Sequence, residues 1–211
     1  MTGVPQGTVT GALPQFLRFL ATLPEPDATA RALLLGPMAH FDMGAVSIVQ
    51  ISGEYTELHG THGYTQGEID GYWRVPLVVP TPFNRCMLEA EVLIDEVEEV
   101  PEEFEALSVD RPLWEGFIER FGVGQVISAP IILQGTVIGA FGGITRSKRT
   151  WSSLDFAMLD GITSALGLWM THPETPARHT DRLRRTDPAL LHLTERQQQI
   201  LVLVEAGKSN T

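Results

Sequence analysis

Val-Ile-Ser-Ala-Pro-Ile-Ile-Leu-Gln-Gly-Thr-Val-Ile-Gly-Ala-Phe-Gly-Gly-Ile, at residues 126–144, is the most informative stretch of the sequence. Val and Ile dominate both halves, and Gln134-Gly135-Thr136 between them has the composition of a tight turn. A helix that spans a membrane needs about 20 apolar residues without such an interruption. The stretch therefore predicts two buried antiparallel strands joined by a hairpin, at residues 125–133 and 137–146.

Hydrophobic periodicity and capping residues predict further elements on both sides of this hairpin. We expect helices at 13–20, 26–35, 81–88, from 100, at 112–121 and at 151–169, and strands at 44–52, 55–62 and 91–95. Thr81 is the expected N-cap of the helix at 81–88, and Ser152 or Ser153 that of the last helix. No period is sustained between Gly63 and Pro82. The predicted fold class is α+β, an antiparallel sheet with flanking helices.

The composition is that of a folded chain with an uneven distribution of charge. Hydrophobic residues make up 43% of the 211 residues, enough for a buried core. Acidic residues outnumber Lys plus Arg by 26 to 15, which argues against a free-standing nucleic-acid binder. The chain has 9 basic and 22 acidic residues up to Ala177, but 6 basic and 4 acidic residues from Arg178 onward. The net charge thus changes from negative to positive within residues 173–188. This segment is rich in Pro and Arg, and we interpret it as a linker.

The cysteine content and the N-terminal residues indicate in which cellular compartment the protein is expected. Cys86 is the only cysteine, so the chain forms no internal disulfide, CxxC pair or thiolate zinc cage. Residues 1–12 are rich in Gly, Thr and Pro, are predicted to be a flexible leader, and contain no basic region of a secretory signal. A cytoplasmic protein without a membrane partner is expected.

The order of these elements resembles a GAF domain over residues 13–172. Two segments carry the resemblance: the hairpin, with Ala-Pro-Ile entering the turn and Ile-Gly-Ala-Phe leaving it, and Trp151-Ser-Ser-Leu-Asp-Phe-Ala-Met-Leu, which is similar to the family's W/F-S-x-x-D/E helix start. The resemblance implies a ligand pocket between the sheet and the irregular connections above it. Another α+β sensor fold, such as PAS, is the alternative.

Leu-Thr-Glu-Arg-Gln-Gln-Gln-Ile-Leu-Val-Leu-Val-Glu-Ala-Gly-Lys-Ser-Asn-Thr, at residues 193–211, resembles the start of a LuxR-type helix-turn-helix domain. Thr194 and Gln197 have the spacing of a capping box, Gly207 suits a helix C-terminus, and Ser209 suits the N-cap of a second helix. We expect residues 189–211 to be an N-terminal fragment of that domain, truncated before its recognition helix. DNA is accordingly expected as a partner of the full-length protein only, with no base contacts from this chain.

Candidate pocket residues lie on the second strand and in the two aromatic segments that follow it. They are His59, Tyr72, Trp73, Arg74, Trp114 and Phe117. Aromatic walls with one arginine suit a small planar or carboxylate-bearing ligand, whereas the alternative is that these aromatics only fill the core. The Asn-Lys-Phe-Asp-Glu motif of cyclic-nucleotide-binding GAF domains is not traceable. His59 and His62 point to opposite faces of a strand, so no metal site is predicted, and no cofactor is predicted.

These observations favour a one-component transcriptional regulator, in which a GAF-like domain senses an unknown small molecule and controls a LuxR-type DNA-binding domain. The alternative is a GAF-like domain that acts as a ligand-free dimerisation or protein-interaction module. The first and last helices are natural dimer elements, so a homodimer is expected. No catalytic motif is found, and GAF-type methionine sulfoxide reductases use several cysteines. No catalytic residue and no enzymatic activity are therefore expected.

Overall fold

The computed structural model describes residues 9–104 and 111–176. Its strands are β1 (Met43–Ser52), β2 (Tyr55–His62), β3 (Arg74–Pro76), β4 (Leu93–Glu96), β5 (Gln125–Leu133) and β6 (Thr136–Thr145). Its helices are α1 (Val9–Leu20), α2 (Pro26–Leu35), α3 (Gln66–Ile69), α4 (Pro82–Glu89), α5 (Val100–Glu103), α6 (Arg111–Phe121) and α7 (Ser153–Thr171), with 3-10 turns at Pro37–Phe41 and Asp70–Tyr72. The strands form one antiparallel sheet in the order β3-β2-β1-β6-β5-β4. The predicted α+β architecture is confirmed for these residues, whereas the predicted helix-turn-helix fragment at 189–211 and most of the linker at 173–188 lie outside them.

The predicted hairpin is confirmed as β5 and β6, and both strands lie inside the sheet rather than at its edges. Gln134 and Gly135 form its turn, with φ of 51° and 78°. Two consecutive positive φ values are typical of the two-residue turns that match the twist of a hairpin. β6 also pairs with β1 along its other edge, so the hairpin joins the two halves of the sheet. Among the described helices, none has the length and apolar character needed to cross a membrane.

One face of the sheet packs against α1, α2 and α7. Side chains alternate between the two faces along each strand. Those on this face are Val46, Ile48, Ile127, Ala129, Ile131 and Phe141, all buried. The helices contribute Phe16, Leu33, Leu159, Ile162 and Leu166 to the same core. Full burial of a Val, Leu, Ile or Phe side chain contributes roughly 1.5–3 kcal/mol. This layer holds more buried hydrophobic residues than either cluster on the opposite face.

The opposite face is covered by the chain that connects β2 to β5. From α6, Trp114, Phe117 and Phe121 recur at helical spacing and point toward the sheet. From α4, Cys86 and Met87 are buried against the same face. The covering layer thus combines α6, which has 11 residues, with the shorter α3, α4 and α5.

Residues 63–82, for which the sequence predicts no regular structure, contain α3 and β3. Thr65 caps α3 in a capping box with Glu68. β3 pairs with the start of β2, where Arg74 lies opposite Glu57. Both elements are too short for a hydrophobic period to reveal them.

The start of α1 differs from the prediction of a flexible leader up to residue 12. The helix begins at Val9, and Pro14 lies in its interior rather than in its first turn. A proline removes one backbone donor from a helix. The burial of Phe16 and Leu20 against the core offsets that loss, so the helix runs through Pro14.

The N-terminus of α7 is tied to the domain through Asp155. Ser152 is the N-cap and forms a capping box with Asp155. The carboxylate of Asp155 also accepts hydrogen bonds from His40 Nε2 and from Arg149 Nη2, each at 3.1 Å. Burial opposes the ionisation of Asp155, but the hydrogen bonds from Ser152 and His40 and the charge of Arg149 outweigh it. The pKa of Asp155 therefore lies below its ordinary value.

We expect Asp155→Asn to lower the free energy of unfolding by about 1.5–3 kcal/mol at pH 7, since it removes charge-assisted hydrogen bonds. The depressed pKa of Asp155 means that its contribution is complete above the unfolded value of about 3.9 and is lost as the pH falls through the folded value. Urea unfolding between pH 7 and pH 3 should show the gap to wild type closing below about pH 4. Asp160→Asn, at an exposed carboxylate of the same helix, should stay within about 0.5 kcal/mol of wild type. A gap for Asp155→Asn that does not vary with pH would contradict this account.

Candidate ligand-binding cavity

A cavity of about 110 Å³ lies between the sheet and the layer that covers its second face. This is the position in which the GAF resemblance places a ligand pocket. The strands supply Ser47, Val49, Thr56, Leu58, Val126, Ser128, Gly143 and Ile144, and β3 adds Val75. The covering layer supplies Tyr64, Glu68, Ile69, Tyr72, Thr81, Pro82, Phe83, Asn84, Trp114 and Phe117. Most of this lining is apolar, which is typical of small-molecule sites.

Strand alternation explains which sheet residues reach the cavity. On β5, Val126 and Ser128 line it, whereas Ile127 and Ala129 belong to the core beneath α1, α2 and α7. Ser128 is therefore a polar residue between the apolar Val126 and Pro130 on the cavity side of the strand.

The aromatic wall of the cavity is fixed by ring-to-ring contacts. The rings of Trp114 and Phe117 meet edge to face, with centroids 5.3 Å apart. Tyr64 meets Phe117 in the same manner at 5.7 Å, and Tyr64 also contacts Phe121 at 6.2 Å. Aromatic pairs in this geometry contribute about 0.5–1.5 kcal/mol beyond their burial. The rings therefore form a preorganised surface on one side of the cavity.

Two polar atoms of the lining have no hydrogen-bond partner among the described residues. They are Ser128 Oγ and Trp114 Nε1, in residues that are 1% and 7% exposed. A buried polar group without a partner costs roughly 1–3 kcal/mol, and native proteins contain few of them. Both residues line the cavity, so one hydroxyl and one indole N–H beside it have no hydrogen-bond partner among the described residues.

Asn84, by contrast, is fully engaged. Its Oδ1 accepts a hydrogen bond from Thr56 Oγ1 at 2.5 Å. Its Nδ2 donates to the carbonyls of Pro76 and Val79 at 2.9 and 2.8 Å. Asn84 therefore ties α4 to β2 and to the chain that follows β3, and its role at the cavity is to hold the covering layer in place.

Glu68 brings the one carboxylate among the described residues that line the cavity. It accepts hydrogen bonds from Arg120 and from the amide of Thr65. Burial opposes its ionisation, but these hydrogen bonds outweigh that effect, so the pKa of Glu68 lies below its ordinary value. Burial and the Glu68 charge together raise the pKa of Tyr64, whose phenol stays protonated. None of the described lining residues is Lys, Arg or His.

The structure brings together three of the six predicted site residues. Tyr72, Trp114 and Phe117 line the cavity. Whether they bind a ligand stays a prediction.

The other three predicted residues lie elsewhere. His59 is on the opposite face of β2 from Leu58, and its ring centroid lies 5.3 Å from that of Trp169 on α7. Trp73 packs in the apolar cluster beside the cavity rather than on its wall. Arg74 lies over the ring of Tyr55 at 3.8 Å and pairs with Glu57 at 3.2 Å, because β3 aligns with the start of β2. The expected arginine for a carboxylate-bearing ligand is thus outside the cavity.

Sequence reasoning missed Tyr64, Glu68 and Ser128. Thr65 and Glu68 have the spacing of a capping box, a signal that would have placed a helix start beside Tyr64. Ser128 interrupts an apolar strand, and a polar residue at such a position needs a partner. Neither signal shows that the residues share one cavity, since that depends on how the connection folds over the sheet.

Cys86 lies on α4 and is fully buried. Burial and the nearby carboxylates of Asp95 and Glu89 raise the pKa of its thiol, which disfavours the thiolate. In the described ranges, no three His, Cys, Asp or Glu side chains are grouped so that they could hold a metal ion.

Comparison with known proteins supports a fold assignment. No family model and no curated protein matches the sequence. Among solved structures, the chain is similar to the GAF domain of an Acinetobacter phosphoenolpyruvate-protein phosphotransferase, with 10% identity, coverage of 81% of this chain and 96% of the other, and a TM-score of 0.57. The chain is also similar to the GAF domain of a phosphoenolpyruvate-protein phosphotransferase from Coxiella burnetii. The identity is 12%, the match covers 78% of this chain and 93% of the other, and the TM-score is 0.57. At these identities the likeness shows the fold alone, which is that of a GAF domain.

One of the expectations from the sequence is wrong. A free methionine-R-sulfoxide reductase from Neisseria meningitidis, solved in complex with its substrate, is similar to this chain with 14% identity, coverage of 80% and 92%, and a TM-score of 0.55. Enzymes therefore share this fold, and the expectation that the chain has no enzymatic activity is overturned as it stood. These enzymes share only the GAF fold with the chain, at low identity. Function has to be argued from the cavity rather than from the fold.

Proposed function

We propose that this chain is the sensor region of a one-component transcriptional regulator, in which the GAF-like domain binds a small molecule and controls a LuxR-type DNA-binding domain. The observation that carries the sensing role is the cavity lined by Ser128 and Trp114, whose Oγ and Nε1 are buried without a partner among the described residues. The DNA-binding role is supported by the resemblance of residues 193–211, which lie outside the described residues.

The position of the cavity offers a physical route for the signal. Strand β5 faces the cavity through Ser128 and faces α7 through Ile131. α7 lies so close to this strand that a Cβ at Gly167 would be 3.3 Å from Ile131 Cγ2. A ligand that favours one position of β5 would therefore favour one packing of α7. Since α7 leads into the proposed linker at 173–188, a change in its packing would reach the DNA-binding domain.

Ligand screening by thermal shift on the full chain tests the proposal. A ligand at 100 times its Kd should raise the free energy of unfolding by about 2.7 kcal/mol. Trp114→Ala should abolish that shift, because it removes a ring and a donor from the cavity wall. Phe156→Ala, at a partly exposed aromatic of α7, should retain it. A library in which every hit shifts wild type and Trp114→Ala equally would contradict binding in this cavity.

Two serines of the cavity floor provide a matched pair for a stability test. The hydroxyl of Ser128 has no partner among the described residues, whereas that of Ser47 shares a hydrogen bond with Thr61 Oγ1 at 3.3 Å. We expect Ser128→Ala to leave the free energy of unfolding of the ligand-free protein unchanged or to raise it by about 1 kcal/mol, since an unsatisfied group is removed. Ser47→Ala should lower it by about 0.5–1.5 kcal/mol.

Chemical denaturation of the two variants and wild type gives these values. A loss for Ser128→Ala as large as that for Ser47→Ala would show that the Ser128 hydroxyl is satisfied in the free protein. That hydroxyl would then have no unused hydrogen-bonding capacity to offer a ligand.

A second candidate function is that of a ligand-free dimerisation or protein-interaction module. Exposed apolar side chains favour it: Leu154 and Leu168 on α7 are 76% and 66% exposed, and Leu17 on α1 is 42% exposed. Large apolar side chains exposed on α1 and α7, two helices that pack together, suit a protein–protein contact. Both candidate functions are compatible with a homodimer formed through α1 and α7.

We therefore expect light scattering to give twice the chain mass of 23.2 kDa. The double variant Leu154→Asp, Leu168→Asp should be monomeric, because it places two charges in the apolar contact. Leu88→Asp, at a leucine of α4 that is 87% exposed, should remain dimeric. A monomer in the wild-type protein would exclude this interface.

A further inference from the structure

We propose that the cavity selects an uncharged, mostly apolar molecule that presents one hydrogen-bond acceptor, such as an aryl ketone. This inference rests on the proposed small-molecule sensing and adds the chemical class of the ligand. It follows from three properties of the lining: its charge, its free hydrogen-bonding groups and its aromatic wall.

The charge of the lining disfavours anions. Glu68 contributes a carboxylate to the wall, and the described lining residues include no Lys, Arg or His to balance an incoming negative charge. Residues 105–110, which are not described, contain no basic side chain in the sequence. Arg74 is engaged outside the cavity by Glu57 and Tyr55. A carboxylate or phosphate would thus be desolvated without a cation in the described lining to pair with it, which is unfavourable.

A cation gains little from the same lining. Arg120 donates a hydrogen bond to Glu68 and another to the carbonyl of Gly63, so the charge of Glu68 is already compensated. A positively charged ligand would lose its hydration and would compete with Arg120 for one carboxylate. An uncharged ligand avoids both costs.

The hydrogen-bonding groups without a partner favour a ligand that carries a hydrogen-bond acceptor. An indole N–H can only donate, and a serine hydroxyl can donate or accept. Trp114 Nε1 and Ser128 Oγ lack partners among the described residues, while Thr56 and Asn84 are bonded to each other. A carbonyl or ether oxygen, or a ring nitrogen, would satisfy the indole. A pure hydrocarbon of the same shape would leave it desolvated and unpaired.

The aromatic wall suits a flat apolar body. Phe117 meets both Trp114 and Tyr64 edge to face. Val126 and Ile144 extend the apolar surface across the strands. Aromatic rings pack well on such a surface in stacked or edge-to-face geometry.

Four probes of closely similar shape separate these properties in the full chain. Acetophenone carries an acceptor, isopropylbenzene carries none, benzoate is an anion, and benzylammonium is a cation. Titrations followed by NMR give the dissociation constants, and the indole N–H resonances report on the donor directly. The chain has four tryptophans, so Trp114→Phe identifies the resonance of Trp114.

We expect acetophenone to bind roughly tenfold more tightly than each of the other three probes, since one buried hydrogen bond or one unpaired charge separates them. It should shift the Trp114 N–H resonance, and isopropylbenzene should not. Trp114→Phe should reduce the preference for acetophenone over isopropylbenzene to about twofold or less, because the ring remains and the donor is lost. Ser128→Ala is the second variant, and the ranking of probes in wild type decides the matter if a variant does not fold.

The possible failures are distinguishable. Tightest binding of benzoate or benzylammonium in the cavity would overturn the ligand class and leave the sensing proposal intact. Equal binding of acetophenone and isopropylbenzene would overturn the role of the free donors. Failure of all four probes, when the thermal-shift library yields a cavity ligand, would overturn this inference alone. Failure of the four probes and of the whole library would overturn the proposed sensing function as well.

Discussion

The burial of β5 on both of its faces is the constraint on which the rest of the domain depends. Residues 125–131 of this strand are all buried, so side chains on both of its faces are covered. A strand of this kind requires one layer of structure above it and another below it. α1, α2 and α7 provide one layer, and the connection between β2 and β5 provides the other. Ser128 is the point at which this apolar strand presents a polar group to the second layer.

The two layers fill the space against the sheet to different extents, and the cavity results from the less complete packing of the second layer. The three long helices place regular apolar stripes against the sheet, and Gly167 lets α7 approach β5 closely. The second layer contains α3 and α5, with four residues each. Such short pieces bury little apolar surface, so side-chain hydrogen bonds hold them: Asn84 ties α4 to β2, and Arg120 ties α6 to Glu68. A layer assembled in this way leaves space beneath it that interdigitating helices would fill.

The same difference decides what could be predicted from the sequence. The hairpin and α7 have long periodic patterns and strong local signals, the turn at Gln134-Gly135 and the cap at Ser152, so their position follows from local chemistry. The candidate site depends on which side chains of β2 face the cavity and on β3, an edge strand of three residues. A shift of one position exchanges Leu58, on the cavity wall, for His59, on the far face. The pairing of β3 with β2 removes Arg74 from the cavity, and no local pattern announces that pairing.

The outer charge of the domain and the lining of its cavity favour the same class of ligand. Up to Ala177 the chain carries 22 acidic and 9 basic residues, and several acids gather around a single cation, Arg85, near the cavity's covering layer. A field of this sign lowers the concentration of anions near the surface, over about 10 Å at 0.1 M salt. Anionic metabolites and nucleic acid are disfavoured there alike, whereas an uncharged molecule approaches without hindrance. In the proposed regulator, the basic residues from Arg178 onward would contact the DNA phosphates. The acidic sensor and this basic segment would therefore attract different partners.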